Sequence, residues 1–252
     1  MSLLQTTDLV KQFGGLTAVD SVSIGIEKGT VQAIIGPNGA GKTTFINCVS
    51  GLLDPTGGSV EFNGEDITGR EPHEIVQQGI SKSFQTASIF PTMTVEENVQ
   101  IAAFGAEHGS FRFNFLRKRS DYDAVHDQTE RMLRSVELWD DRDALAQNLP
   151  YGDKRRLEIA IALASEPELL FMDEPTAGMS PEETRQTVDL IEELQADLGL
   201  TIVLVEHDME VIFRVADRIA VLHRGAIIAN AEPEKIRGDE QVQEAYLGGA
   251  EI

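Results

Sequence analysis

The sequence is poor in cysteine, in aromatic residues and in long apolar runs. Cys48 is its one cysteine, which excludes an intrachain disulfide and a cysteine metal cluster, and its place in a predicted helix indicates core packing. No apolar run approaches the roughly 18 to 20 residues of a membrane-spanning helix, and the first residues lack the basic start and apolar length of a signal peptide. We therefore expect a chain that stays in the cytoplasm and does not itself span a membrane.

Basic residues are also scarce. The 42 Asp and Glu outnumber the 21 Lys and Arg, giving a formal net charge of −21. Because phosphate backbones are bound by basic surfaces, this charge argues against a nucleic-acid partner. Two explanations are open: a salt-rich cell interior, where screening relieves self-repulsion and carboxylates keep the protein hydrated, or an acidic protein from an ordinary mesophile. We favour the first, which predicts a halophilic source.

A glycine-rich stretch follows the apolar run 31–35 and precedes a helix predicted from about Lys42 to Leu52. It fits the pattern G-x-x-x-x-G-K-S/T of a phosphate-binding loop. Its glycines let backbone N–H groups approach phosphate oxygens, and the helix adds the positive end of its dipole. Lys42 can reach the β- and γ-phosphates, and the Thr43 hydroxyl is placed to ligate Mg²⁺. The predicted phosphate-binding residues are Gly36, Pro37, Asn38, Gly39, Ala40, Gly41, Lys42, Thr43 and Thr44.

A second apolar run, 169–172, ends in two carboxylates and has the form called Walker B. Asp173 can hold Mg²⁺, usually through water, and Glu174 can accept a proton from the attacking water. Adjacent acids at a strand end are often only surface residues. In a chain that also carries a phosphate loop, we interpret this pair as functional.

Three further candidates are weaker when their residues are taken alone. Phe13, before a Gly-Gly turn, could stack on an adenine face or fill a core. Gln85, at the end of a strand predicted at 80–84, could contact Mg²⁺ or the attacking water through its amide. His207, just beyond a strand predicted at 201–205, could hydrogen-bond a γ-phosphate or be structural.

The stretch 86–157 predicts a helical insertion within an α/β chain. A capping box at 94–97 opens one helix, and a partial apolar stripe over 121–137 indicates another. Between them, 111–119 mixes aromatics with four cations; it is either a solvated loop with apolar anchors or a contact for nucleic acid or anionic lipid. A helix that begins near Pro150 leaves backbone N–H groups free to hold an anion.

The flanking patterns complete the predicted fold. Alternating apolar residues indicate antiparallel strands near the N-terminus, and a helix predicted over about 181–198 lies between two apolar strands, as in a mainly parallel sheet. We predict one α/β P-loop domain over 1–252. Within it, 1–85 and 158–252 form a nucleotide-binding core with an antiparallel β-subdomain, and 86–157 forms a helical subdomain.

The order of these motifs along the chain resembles the ATP-binding subunit of an ABC transporter. In that family the matching positions are an adenine-stacking aromatic (Phe13), Walker A, the Q-loop (Gln85), the signature motif, Walker B with its catalytic glutamate, and a switch histidine (His207). The D-loop falls at 177–180. A signature directly upstream of Walker B is highly specific to this family. The resemblance assigns nucleotide contacts in the signature to Pro150, Tyr151, Gly152 and Asp153.

This signature departs from the commonest form, Leu-Ser-Gly-Gly-Gln. Pro150 replaces the serine whose hydroxyl usually contacts the γ-phosphate, so backbone amides near Gly152 and the helix dipole would have to serve instead. The Leu-Pro-Tyr-Gly form is similar to the branched-chain amino-acid class of importers. So are the stretches 13–16 with 18–19, 177–181 and 244–248, and the long insertion at 104–120.

The resemblance implies a Mg²⁺-dependent ATPase in which two ATP molecules lie between two such subunits, each held by one chain's Walker motifs and the other's signature. Glu174, His207, Gln85 and Lys42 would be catalytic, and Thr43, Gln85 and Asp173 would hold Mg²⁺. The implied partners are transmembrane permease subunits, a second ABC ATPase and, indirectly, an extracellular solute-binding protein. The chain would act at the cytoplasmic face of the membrane in uptake of branched-chain amino acids or a similar small polar solute.

Two other functions stay open. A stand-alone cassette could use ATP-driven closure for assembly or scaffolding, and recovery with or without membranes would separate it from an importer subunit. A P-loop GTPase or kinase is disfavoured, because the sequence has no Asn-Lys-x-Asp guanine-reading motif and the signature would be unexplained.

Overall fold

A computed structural model describes residues 2–83, 89–108 and 119–247. In these residues the strands are β1 (Ser2–Phe13), β2 (Leu16–Glu27), β3 (Val31–Ile35), β4 (Gly57–Phe62), β5 (Glu65–Asp66), β6 (Ile80–Ser83), β7 (Leu169–Asp173), β8 (Thr201–Val205), β9 (Arg218–His223) and β10 (Ala226–Ala231). The helices are α1 (Lys42–Val49), α2 (Pro72–Gln77), α3 (Val95–His108), α4 (Arg119–Ser135), α5 (Tyr151–Leu163), α6 (Pro181–Leu198), α7 (Met209–Val215), α8 (Pro233–Arg237) and α9 (Glu240–Leu247). Short 3-10 turns lie at Trp139–Asp141 and Ala146–Asn148.

The N-terminal strands form an antiparallel sheet in the order β2-β1-β4-β5. Alternation along β1 and β2 buries one face, and Leu4 and Ile26 on that face are fully enclosed. The turn between β4 and β5 has positive φ at both central residues, 51° at Asn63 and 80° at Gly64. Asn-Gly is the preferred pair for such a tight hairpin turn. The predicted antiparallel part of the fold is confirmed.

The second sheet carries the predicted parallel core. Its order is β10-β9-β3-β8-β7-β6, and each neighbouring pair is parallel except β10 with β9. Every residue of β3, β7 and β8 is buried. Continuous apolar strands of this kind belong to a sheet covered on both faces, which confirms the predicted fold class.

Helices α3, α4 and α5 pack together beside the core sheet. Thr94 begins α3 with a capping box, since its hydroxyl accepts from the Glu97 N–H at 3.1 Å and the Glu97 carboxylate accepts from the Thr94 N–H at 2.8 Å. Helix α5 runs without interruption through residue 157, and its buried face includes Leu157 and Ala160. Helix α5, which begins at the signature, is therefore one unbroken helix that packs against α3 and α4 and also against the core sheet.

Helix α6 has the bounds expected from the sequence. Ser180 begins it with a capping box as well, and Gly199 ends it in the left-handed conformation at φ 61°. Across the described ranges, with their gaps at 84–88 and 109–118, no helix combines the length and apolar character needed to cross a bilayer.

Candidate nucleotide-binding site

The phosphate loop joins β3 to α1 and lies against two other strands. A Cβ added at Gly36 would lie 2.1 Å from the Leu222 carbonyl oxygen, and one added at Gly41 would lie 2.2 Å from that of Ala18. Gly41 also has φ 106° at the point where the helix begins. Only glycine tolerates both the close backbone contact and this conformation. The two glycines therefore fix the loop between β2 and β9.

The N-terminus of α1 presents free backbone donors. No side chain caps the helix at Gly41, and the first helical hydrogen bond runs from the Phe45 N–H to the Gly41 oxygen at 2.8 Å. The N–H groups of Lys42, Thr43 and Thr44 precede that bond and have no acceptor within the helix. Thr43 is exposed beside them. Uncapped N–H groups at the positive end of a helix bind anions.

Lys42 is held across its own loop. Its ammonium is buried and donates to the carbonyl oxygens of Gly36 at 2.6 Å and Pro37 at 3.3 Å. Burial lowers the pKa of Lys42, and the nearby carboxylates of Glu174 and Asp173 partly offset this effect. The lysine thus lies between the loop backbone and the acidic end of β7.

Asp173 ends β7 as a buried carboxylate. Burial raises its pKa, and the ammonium of Lys82 on β6 acts in the opposite direction. The Lys82 nitrogen lies 4.0 Å from the Asp173 carboxylate and donates to the Asn47 side-chain oxygen at 3.0 Å. Our sequence reasoning missed Lys82; its signal was a lysine inside an otherwise strand-like run just before Gln85.

Glu174 and His207 meet where β7 and β8 end. The His207 Nε2 lies 3.0 Å from the Glu174 Oε1. Glu174 adopts the left-handed conformation, with φ 51°, and its N–H donates to the Val205 carbonyl at 2.8 Å. Such a conformation costs of order 1–3 kcal/mol in a non-glycine residue and is retained where the surroundings enforce it. The structure brings these two candidate residues together. Glu206, which we did not single out, is buried next to His207 in the chain and accepts hydrogen bonds from Thr176 and from the His207 N–H.

The signature residues lie against the segment that follows β7. Pro150 precedes α5, and the Tyr151 hydroxyl donates to the Ala177 carbonyl at 3.0 Å. A Cβ at Gly152 would be 3.5 Å from the Glu183 carboxylate, and Asp153 lies in the first turn of α5. Within the described part of the chain, no hydrogen bond joins residues 150–153 to the phosphate loop.

Phe13 lies at the exposed end of the β1–β2 hairpin. Its side chain is 46 % exposed, and the Lys11 ammonium lies 5.2 Å from the ring centroid. Strand β2 then passes over the phosphate loop at Ala18, so the ring is carried by the same hairpin that contacts the loop. The predicted position Gln85 and the cationic residues 112, 117 and 118 lie outside the described residues.

Sequence comparison identifies the family. Residues 19–177 match the ABC transporter family, which is more than half of the chain. The chain belongs to the ABC transporter family. This assignment confirms the predicted resemblance, and the protein is an ATP-binding cassette ATPase. Residues 226–252 of the cassette also match the family described as branched-chain amino acid ATP-binding cassette transporter.

Relatives resemble the cassette over almost its whole length. The high-affinity branched-chain amino acid transport ATP-binding protein BraF of Pseudomonas aeruginosa is 38 % identical over 256 residues, covering 98 % of each chain. LivG of Escherichia coli, which has the same description, is 38 % identical over 252 residues, also covering 98 % of each chain. The ADP conformation of MJ1267, an ATP-binding cassette of an ABC transporter, is 33 % identical with a TM-score of 0.86, covering 98 % of this chain and 99 % of that one.

Proposed function

We propose that this cassette is the ATP-hydrolysing subunit of an importer for branched-chain amino acids or a similar small polar solute. The observation that carries the proposal is the C-terminal match over 226–252 to the branched-chain amino acid class. Similarity to BraF and LivG over 98 % of the chain, with Pro150 and Tyr151 in the signature, supports the same assignment.

The residues present fit a bound Mg²⁺–nucleotide. The uncapped α1 N-terminus and the buried Lys42 suit an anion. Among the described residues, no group of three or more His, Cys, Asp or Glu could hold a metal ion by itself. This pattern suits an ion held chiefly by phosphate oxygens, with Thr43, Asp173 and Gln85 as protein ligands. When bound, Mg²⁺ would neutralise charge on the phosphate oxygens.

Within that site we assign the following roles to the side chains. Glu174 accepts the proton of the attacking water, and His207 holds the Glu174 carboxylate through the 3.0 Å contact and faces the γ-phosphate. Lys42 exchanges its two carbonyl partners for phosphate oxygens. Phe13 offers its exposed ring to the adenine, and Gln85 orients the water.

The complete site requires a second ABC ATPase subunit, identical or different. The signature residues Pro150, Tyr151, Gly152 and Asp153 would contact the nucleotide bound to that partner, because α5 begins with free N–H groups and no side-chain cap. We assign 86–157 to the helical subdomain and 1–85 with 158–252 to the core. Transmembrane permease subunits would dock between them, with the cassette peripheral on the cytoplasmic face and no nucleic-acid partner.

Co-purification tests the transport assignment. The chain would be isolated from native membranes in mild detergent, and its partners identified by mass spectrometry. We expect two multi-span permeases, a second ATPase and an extracellular binding protein, whose ligand would then be measured by calorimetry with leucine, short amides and urea. Recovery with cytosolic partners alone would replace this proposal with a stand-alone cassette.

We also propose that the cassette works in a salt-rich cell interior. Its net charge of −21 leaves strong self-repulsion that molar salt would screen. ATPase rate and melting temperature would be measured between dilute buffer and molar KCl, and both should rise with salt. Full activity in dilute buffer together with inhibition by molar KCl would contradict the proposal.

A further inference from the structure

Glu206 is a buried carboxylate that joins two loops of the site. It follows β8 directly and is only 5 % exposed. Its Oε1 accepts from the Thr176 N–H at 2.8 Å and from the Thr176 hydroxyl at 2.5 Å, and its Oε2 accepts from the His207 N–H at 3.0 Å. One side chain therefore holds the segment after β7 and the segment after β8 at the same time.

These bonds involve residues close in the chain to the two candidate catalytic side chains. Thr176 is two residues beyond Glu174, whose own N–H donates to the Val205 carbonyl at 2.8 Å. The two loops are thus fastened by one backbone bond and by the carboxylate of Glu206. The same two loops carry the partly exposed side chains of His207 and Glu174, whose Nε2 and Oε1 atoms lie 3.0 Å apart.

A carboxylate is the group that suits this position. Three donors point at Glu206, two from Thr176 and one from His207, and an ionised carboxylate only accepts. Burial of a charged group is costly unless it is hydrogen-bonded, so an apolar residue would fill the space more simply if packing were the only need. An amide would turn a donor toward one of the three N–H or O–H groups.

We propose that Glu206 is a positioning residue that sets the orientation of His207 toward Glu174 and so acts on phosphoryl transfer through His207. The inference rests on the proposed roles of Glu174 and His207. In Glu206→Gln, one end of the amide opposes a donor, and the His207 peptide loses its fixed place. Misplacement of a catalytic group by about 1 Å costs about 100-fold, so we expect kcat to fall by about 10- to 100-fold with ATP affinity unchanged.

A double-mutant cycle distinguishes this role from a merely structural one. The full-length cassette and its Glu206→Gln, His207→Ala and doubly substituted variants would be compared for kcat and KM in steady-state ATP hydrolysis, and for ATP affinity with a fluorescent analogue. If Glu206 acts through His207, its substitution should change kcat by less than about twofold once His207 is absent. An equal loss with and without His207, or no loss at all, would overturn the proposal.

A second variant keeps the test decisive if Glu206→Gln folds poorly. Thr176→Val removes only the hydroxyl donor and should give a smaller kcat loss with the same dependence on His207. Glu166→Gln, an exposed carboxylate at the other end of β7, is the matched control and should hydrolyse ATP normally. Full kcat in His207→Ala would also overturn the inference, whereas the import assignment is decided separately by the partners recovered from membranes.

Discussion

The hydroxyl of Tyr151 donates a 3.0 Å hydrogen bond to the carbonyl of Ala177, which joins the start of the signature helix to the loop after β7 in the same chain. The signature form Leu-Ser-Gly-Gly-Gln, with which this stretch was compared above, has at this position a glycine, which has no hydroxyl to offer. Arg155 supports the tyrosine, because its guanidinium donates to the same hydroxyl at 3.1 Å and lies 5.5 Å from the ring centroid. Tyr151 therefore links the start of α5 to the stretch 177–180, which the resemblance predicts to be the D-loop.

Tyr151→Phe should remove this link while keeping the ring. A single hydrogen bond contributes about 0.5–1.5 kcal/mol, and competition with water at a side chain 46 % exposed favours the lower end. We expect kcat to fall by about 2- to 10-fold, with ATP affinity unchanged, if the bond aligns the signature during hydrolysis. Steady-state kinetics and urea unfolding would measure both effects. Unchanged kcat with lowered stability would restrict Tyr151 to a structural role.

Glu174→Gln should bind ATP and nearly cease to hydrolyse it. The amide keeps the shape and a contact with His207 but cannot accept the proton of water, and loss of a general base costs about 10² to 10⁴ in rate. Single-turnover phosphate release and ATP binding would be measured in parallel. Glu166→Gln is a close control, because Glu166 also has positive φ, 47° against 51° at Glu174. Normal turnover in Glu174→Gln would refute the proposed role.

Arg155→Met should destabilise the cassette in a pH-dependent way. Arg155 donates to Glu158 at 2.7 Å, the two side chains are 14 % and 10 % exposed, and burial already raises the pKa of Glu158. Removal of the cation leaves a buried carboxylate without its partner, at a cost of about 3 kcal/mol. In the variant, the pKa of Glu158 in the folded chain lies further above its unfolded value of about 4.3. The variant therefore keeps its stability below pH 4.3 and loses it as the pH rises through the folded pKa of Glu158.

The difference in unfolding free energy between Arg155→Met and the parent should therefore be small near pH 4.5 and largest near pH 8. Urea titrations at several pH values would measure it. Arg155→Met/Glu158→Leu removes both charges, together with the buried Arg155 Nε that has no acceptor among the described residues. This double variant should recover most of the stability and lose the extra pH dependence. An equal deficit at both pH values would contradict the assigned cause.

The parts of the site that the sequence predicted are those set by short-range chemistry. The glycine-rich loop between β3 and α1 could be placed from the sequence because two of its glycines meet backbone oxygens closer than a side chain permits. Its role in phosphate binding stays a prediction. Thr94 marked the start of α3 because a capping box acts within four residues. Apolar runs marked β7 and β8 because both are buried along their whole length. Each of these signals is readable from a few consecutive residues.

The parts that the sequence did not predict depend on contacts between distant segments. Lys82 approaches Asp173 only because β6 pairs with β7, and Glu206 reaches Thr176 only because β7 pairs with β8. A lysine inside a strand-like run, or a glutamate before a histidine, marks an unusual position but does not indicate which distant residue is its partner. Likewise, the bond between Tyr151 and Ala177 required the orientation of α5. Gln85, beyond the described residues, stays a prediction.

Cys48 should react slowly with alkylating reagents in the folded cassette. It is 3 % exposed on α1, and burial raises the pKa of its thiol to about 11. The thiolate is the reactive form, and at pH 8 it would be about a thousandth of the population, against roughly a quarter for a free cysteine of pKa about 8.5. Labelling with iodoacetamide, followed by mass spectrometry, should be fast in urea and slow in buffer. Fast labelling of the folded chain would contradict this burial.

The same thiol can report ATP binding. Cys48 lies on α1, whose N-terminus is the proposed phosphate site, so labelling should require this helix to open. A ligand that binds only the closed form lowers the open population by the factor 1 + [L]/Kd, and ATP at 100 times its Kd should slow labelling about 100-fold. A Lys42→Gln variant lacks the ammonium proposed to bind the phosphates of ATP. It should lose most of this protection, while its labelling without ATP stays slow. Protection that persists in that variant would mean that ATP binds elsewhere.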